Sequence, residues 1–473
     1  MKNSILLLCI SVFFFFNGYA QPGNTGMRFS HFGGTMSTYE NPAFGAANDT
    51  KWELQLFNIN EMMENTDYEL DWRSVVGGNN FQFGNRNGQT APTNNNGDFS
   101  FRNVLELYGP AVLFNYKKKF AFGINTRTRF FFQLNDANTD LANASLADDN
   151  FTLNDYGPIQ EDYMNFNLNL VTDIGFTGSL QLVNLKKHKL FVGASVRLYK
   201  GLASVDFTGR NIDIDPDKIS GSDSIVEFSS DLQFNSSMPA NFDLLAGNGN
   251  GLNFGNILSN AFNKSAGSGL GGDIGAVYQG KFLNRSLRAS ASITDIGSIS
   301  YSKGRQRSAS FIANNVQIPV DSFYNFPDNY DSIKQWASNY GVIIDSGNNS
   351  YTQALPTRLN LYGELQLFKG FHVGVSTSAN LANTNNIHSS YSSYTAIIPR
   401  FQSRMLEAWM PISYNYFSRN LKAGLGARLA NVYFGSDDIL GLIQSNAKSV
   451  NFYFGLRVAG NYSKRKVKKA EEK

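Results

Sequence analysis

Glu364, His372, Ser376 and Ser378 fall at even spacing in one stretch, so a strand pair could gather an acid, an imidazole and two hydroxyls on one face. Those groups are the raw material of a serine hydrolase. The spacing argues against one. On an extended chain His372 and Ser376 stand about 13 Å apart, too far for a base to take a hydroxyl proton. The other three histidines have no such company: His31 lies in an N-terminal leader, His188 in a lysine-rich turn and His388 in a polar connection. Asp213, Asp215 and Asp217 have the spacing that opens a calcium loop, but Lys218 stands where that loop needs glycine and Ser224 where it needs glutamate. The glycine-rich run Gly247 to Asn256 lies in a long connection and not between a strand and a helix, so it is no phosphate cradle. The sequence therefore predicts a protein that is not an enzyme, with no cofactor and no metal site.

The elements that would carry such residues announce themselves by period two. In Thr357 to Leu381, Leu359, Leu361, Leu365 and Leu367 share one face, and Arg358, Asn360, Tyr362, Glu364, Gln366 and His372 share the other. Similar alternation runs through Met164 to Leu170, Leu190 to Tyr199, Leu287 to Thr294, Leu421 to Leu429 and Asn451 to Tyr462. Short connections at Lys117 to Lys119, Asn184 to His188, Lys281 to Arg285, Phe368 to Gly370 and Phe417 to Arg419 alternate with long ones. The long ones are placed at about Val75 to Phe99, Leu134 to Asp162, Asn211 to Gly269, Lys303 to Leu355 and Asn383 to Arg404. A three-residue loop Phe368, Lys369, Gly370 sets Leu367 opposite Phe371. It pairs Gln366 with His372, Glu364 with Gly374, Tyr362 with Ser376 and Arg358 with Asn380.

A soluble sandwich also alternates, so the choice between protein core and bilayer rests on other features. The apolar faces are nearly free of charge over about 9 to 11 residues, the span of a tilted membrane strand. Aromatic residues gather near strand ends as interfacial girdles would: Trp52, Phe120, Phe130 to Phe132, Phe368, Phe371, Trp409, Tyr414, Tyr416 and Tyr462. The expected fold is all-β: a closed antiparallel transmembrane β-barrel with short periplasmic turns and long extracellular loops. About thirteen segments are clear, and since bacterial barrels use even numbers, about 14 strands are expected. The missing strand is placed in Trp52 to Trp72 or in Ser224 to Phe234.

The address agrees. Residues 1–20 have one lysine, an apolar run from Ile5 to Phe16 and small residues at Gly18 and Ala20, the pattern of a signal peptide cleaved after Ala20. Cys9 is the single cysteine, so no disulfide framework is expected beyond it. Residues 21–50 form an N-terminal piece, 51–462 the barrel, and 463–473 a charged periplasmic tail. A net charge of +3 gives no reason to expect nucleic acid as partner.

Six phrases resemble a Bacteroidota-type outer-membrane barrel family of unknown function: Tyr39 to Asp49, Gly271 to Gln279, Ser292 to Lys303, Ala354 to Leu365, Val432 to Leu442 and Asn451 to Val458. That family is distantly similar to the fatty-acid-transporter (FadL-like) barrels. The resemblance implies that Gln21 to Asp49, with Asn41 and Pro42, is held in or under the barrel as a plug. A loose leader that Asn41 and Pro42 merely turn into the first strand is the other reading. Arg358, Tyr362, Glu364, His372, Lys422, Arg428 and Arg457 are the lumen-lining candidates, either paired across the interior or lining a path. Two functions remain: passage of small or hydrophobic solutes across the outer membrane, or a platform for an envelope protein of a secretion or motility machinery. The partners expected are outer-membrane lipid, with a small hydrophobic solute or an envelope protein.

Overall fold

The computed structural model describes residues 23–66, 99–138, 158–215, 225–238, 265–302, 305–319, 322, 330–345, 350–382, 389–444 and 447–462. The expected signal peptide, the charged tail, His388, Asp217, Lys218 and the glycine-rich run lie outside these residues, as does most of Val75 to Phe99.

Alternation in sequence becomes a single antiparallel sheet. Its first strands are β1 (Thr50–Asn65), β2 (Phe99–Tyr116), β3 (Phe120–Ala137), β4 (Ile159–Leu185), β5 (His188–Asp215), β6 (Ile225–Met238), β7 (Gly267–Phe282), β8 (Arg285–Tyr301), β9 (Arg305–Pro319) and β10 (Ile343–Asp345). There follow β11 (Tyr351–Ala354), β12 (Arg358–Phe368), β13 (Phe371–Asn380), β14 (Tyr394–Gln402), β15 (Leu406–Trp409) and β16 (Ile412–Asn415). The last are β17 (Asn420–Ala423), β18 (Leu425–Leu429), β19 (Val432–Ser436) and β20 (Ser449–Asn461). β20 pairs with β1, from Thr50 opposite Asn461 to Glu64 opposite Ser449, and this closes a barrel of 14 strand positions. β11 with β12, β15 with β16 and β17 with β18 each make one interrupted position, while β6, β9 and β10 stand outside the wall.

The fourteenth strand lies where the sequence reading placed a long connection. β14 pairs with β13 from Phe371 opposite Phe401 to Ser378 opposite Tyr394. It was hidden because Ile397 and Ile398 are adjacent, which breaks period two, and because Pro399 reads as a strand breaker. Pro399 is tolerated since it stands where the neighbouring position is itself interrupted, between Trp409 and Ile412. Neither place proposed for the missing strand supplies it: β1 is one unbroken strand, and β6 pairs with β5 and β9 beyond the wall. One further consequence is that the connection at 416–419 lies on the same rim as the long loops.

The hairpin of β12 and β13 has the expected inner pairs, Gln366 with His372, Glu364 with Gly374, Tyr362 with Ser376 and Arg358 with Asn380. Its turn is shorter than expected. Phe368 pairs with Phe371, their rings stacked 4.6 Å apart, and the register shifts between Gln366 and Phe368, so Leu367 is the extra residue of a bulge. Gly370 takes the positive φ of 81° that the remaining two-residue turn demands.

Leu54, Phe122, Ile124, Phe176, Leu198, Leu421 and Leu425 are exposed at alternate positions around the outside. Such a belt on a barrel is a lipid face, and the fold resembles that of outer-membrane barrels. No helix among the described residues is long and apolar enough to cross a membrane. Trp52, Phe120, Phe368 and Tyr414 stand exposed as girdle residues should, whereas Trp409 and Phe131 point inward and are buried. Trp409 donates its ring N–H to Tyr453 Oη at 2.9 Å, so it belongs to the lumen and not to the girdle.

On the long-loop side the strands outrun the bilayer. β4 has 27 residues and β5 has 28, about 90 Å of strand where 9 to 11 residues suffice to cross. The connections expected to be solvated loops therefore carry sheet. β6 pairs with the far end of β5, β9 with β6 and β10 with β9, and the helix Tyr330–Asn339 covers this ledge.

Candidate functional site in the barrel lumen

The lumen contains residues 23–49. This segment has three short helices, Thr25–Arg28, Thr35–Glu40 and Phe44–Ala47, and nearly every residue in it is buried. Its apolar side chains Met27, Phe29, Met36, Tyr39 and Phe44 form one cluster with Tyr108, Tyr362, Trp409, Tyr433 and Tyr453 of the wall. Phe29 stacks on Tyr362 with centroids 4.1 Å apart. The Asn41 amide donates to the carbonyls of Ala276 and Ala291 at 3.1 and 3.0 Å, on β7 and β8. Wall glycines make room for this approach. A Cβ on Gly275 would lie 2.2 Å from Asn41 Oδ1, and one on Gly193 would lie 2.5 Å from the Ala43 nitrogen and 2.6 Å from the Pro42 carbonyl carbon.

Charge binds the segment as well. Arg28 donates to the Gly23 carbonyl at 2.8 Å, Glu40 at 3.2 Å, Glu106 at 3.3 Å and Tyr108 Oη at 2.6 Å. Thr25 donates its N–H and hydroxyl to Asp437 at 2.9 and 2.6 Å. Near the short-turn rim Lys118 pairs with Asp49; burial alone would raise that carboxyl, and the ammonium outweighs it and holds it below its usual range.

Above the segment sits an arginine and aspartate network that the sequence reading missed. Arg127 donates to Asp173 at 2.9 Å and to Asp295 at 2.6 Å, Arg129 to Asp295 at 3.2 Å, and Arg197 to Asp273 at 2.7 Å and Asp173 at 2.8 Å. Arg358 Nη2 lies 3.8 Å from Asp295, and Tyr199 donates to Asp295 at 2.9 Å. A repeated triplet marks it. Asp-Ile-Gly occurs at 173–175, 273–275 and 295–297; each aspartate is buried in this network and each isoleucine is exposed on the outer face.

All seven lumen candidates have buried side chains. Lys422 pairs with Glu64 at 3.1 Å, Arg428 with Glu407 at 2.7 Å and Arg457 with Glu53 at 2.6 Å. Charges removed from water are held only when paired, and these are. The hydrolase sketch finds no support in the contacts: Ser376 Oγ meets Tyr394 Oη at 3.3 Å, while His372 faces Glu364 and Gln402.

His31, set apart in sequence, joins the last two candidates. Its Nε2 lies 2.7 Å from Glu364 Oε1, and His372 Nδ1 lies 3.1 Å from the same oxygen.

A separate cavity of about 210 Å³ lies in the long-loop ledge, lined by Phe207, Phe228, Leu232, Phe311 and Trp336 among others. Asp213, of the calcium-like triplet, lies on β5 opposite Ser229 of β6 in this ledge.

A family model described as a family of unknown function, DUF5723, matches residues 42–437. The chain belongs to that family. No curated protein matches it. Among solved structures, the toluene transporter TbuX of Ralstonia pickettii is similar at 11% identity and a TM-score of 0.41, over 90% of this chain and 94% of that one. The toluene transporter TodX of P. putida gives 10% and 0.39 over 91% and 95%, and a Pseudomonas aeruginosa FadL homologue 14% and 0.31 over 94% and 100%. These likenesses are too distant to say what this member of DUF5723 does.

Proposed function

We propose that this outer-membrane barrel admits small apolar solutes, which it first captures in the ledge cavity, and that residues 21–50 act as a plug governing passage. The cavity carries the reading. Its lining is aromatic and aliphatic apart from Ser230, and its volume suits a molecule of one or two rings. The lumen below is too charged and too full to attract such a solute by itself. Displacement of the plug is therefore part of the mechanism, and the ion pairs of Arg28 together with the hydrogen bonds from Thr25 to Asp437 set its difficulty. The test uses purified protein in liposomes and a small apolar fluorophore. Binding is expected to quench or shift Trp336 emission and to disappear in Phe311→Asp. Flux is expected to rise when the plug is loosened by Arg28→Met. Absence of both binding and flux would overturn the reading.

The filled lumen favours a second reading, a closed platform for an envelope protein. Its mark is an envelope protein that co-purifies with a barrel passing no solute, and that is lost when the ledge is altered.

A further inference from the structure

We propose that His31, Glu364 and His372 form a binding site for one divalent transition-metal ion of the zinc class, which clips the N-terminal segment to the barrel wall. The inference is independent of any solute. Two imidazoles and one carboxylate are a donor set that zinc takes, and a fourth position is left for water. One ligand atom from each of the three residues lies within 4.8 Å of the other two, and His31 Nε2 and His372 Nδ1 both approach Glu364 Oε1. Both rings converge on the same oxygen from different elements, with centroids 5.3 Å apart and planes at 58°. Tetrahedral zinc with bonds near 2.1 Å needs donors roughly 3.4 Å apart. The contacts of 2.7 and 3.1 Å to Oε1 would open by about 0.7 and 0.3 Å, and the ligand atoms of the two imidazoles, within 4.8 Å of each other, would settle to the same spacing.

The outer contacts suit ligands held in place. Tyr362 donates to Glu364 Oε2 at 2.7 Å and so occupies that oxygen, with the Arg400 charge 3.7 Å from it, and Oε1 is left to the ion. His372 Nε2 lies 3.0 Å from the Gln402 amide. Exchanging the amide oxygen and nitrogen, which have nearly the same shape, gives up the long 3.5 Å bond from the His31 backbone N–H to Gln402 Oε1, turns Gln402 into an acceptor for the Nε2 proton and frees Nδ1 for metal. Arg288, opposite Glu364 in the sheet, directs its hydrogen bonds away from the donors, to Asn48 and the Phe29 carbonyl. Access exists from the short-turn rim: the His31 side chain is 22% exposed, against 3% for Glu364 and 7% for His372. Since His31 belongs to the lumen segment and the other two to β12 and β13, the ion would join plug to wall.

The experiment uses untagged mature protein in detergent, stripped with a chelator and titrated with zinc chloride, then with cobalt(II) for its visible absorption. One equivalent is expected, with tetrahedral cobalt bands that zinc displaces. His31→Ala and Glu364→Gln are each expected to weaken binding at least a hundredfold. Heat-modifiable migration on gels verifies that each variant retains its barrel, and His31 lies outside every strand of the wall. Zinc is also expected to slow labelling of a cysteine placed in residues 23–49, and to lose that effect in His31→Ala. No stoichiometric binding, or binding that survives both substitutions unchanged, would overturn the site; binding without protection of the segment would overturn the clip.

Discussion

Arg28 offers the sharpest test of how the lumen segment is held. Its side chain is fully buried, and both carboxylates it meets, Glu40 and Glu106, are 1% exposed. Replacing it by methionine keeps much of the volume and removes the charge. Breaking a buried pair from one side costs about 3–5 kcal/mol, because the remaining charge stays out of water. The lower end applies here, since Glu106 keeps neutral donors in Asn60 at 2.9 Å and Tyr391 at 2.6 Å. About 3 kcal/mol is a little over two decades in an equilibrium constant, so the segment should leave its seat about a hundredfold more often. Residues 21–473 contain no cysteine, so Ser37→Cys, at a fully buried position, can report on opening. Maleimide labelling of that thiol in the folded barrel should accelerate about a hundredfold in Arg28→Met, and adding Glu106→Gln should recover part of the difference. If labelling stays within twofold of the parent while the barrel remains heat-modifiable, the pairing of Arg28 does not hold the segment.

Other expectations follow from the same contacts. Gly193→Ala pushes a methyl into the backbone of Pro42 and Ala43, and overpacking of about 1–3 kcal/mol should speed Ser37→Cys labelling roughly fivefold to a hundredfold. Gly178→Ala, where nothing lies within 4 Å, should leave it unchanged. Thr25→Val removes the hydroxyl bond to Asp437 and should speed labelling by about 1 kcal/mol, or fivefold, in the same assay. Ile124→Arg places a charge on the lipid face five residues from the short turn; a loss of about 2–4 kcal/mol should lower the urea midpoint of the barrel in bilayers. An unchanged midpoint would mean that Ile124 does not meet lipid.

Alternation made the wall legible because a strand between lipid and lumen must present a different chemistry at every second residue. Leu359 to Leu367 against Arg358 to Gln366 needs no tertiary knowledge to be read. The reading failed where a strand departs from period two for a local reason. At Ile397, Ile398 and Pro399 the missing amide donor is tolerated only because the neighbouring strand is interrupted opposite, and that circumstance lies in another part of the sequence. Interfacial aromatics failed in the same way: Trp409 and Trp52 both stand near strand ends, and only the register decides that one meets Tyr453 and the other faces outward.

The site was half legible for a related reason. A strand's inner face shows which side chains enter the lumen and cannot show what they meet there, since the partner comes from the opposite wall or from a segment with no periodicity. Lys422, Arg428 and Arg457 could be named as inward, but Glu64, Glu407 and Glu53 lie between 21 and more than 350 residues away. His31 was set aside because residues 23–49 have neither strand nor long-helix pattern, only short helical turns joined by Gly34 and Pro42. Asp-Ile-Gly was the available signal: on a strand the charged and the β-branched residue must point to opposite faces. In a barrel wall they divide, the aspartate to the lumen and the isoleucine to lipid. Three occurrences on β4, β7 and β8 place three carboxylates inside, and buried carboxylates require cations. Arg127, Arg129 and Arg197, at inward positions of β3 and β5, are the cations that requirement predicts.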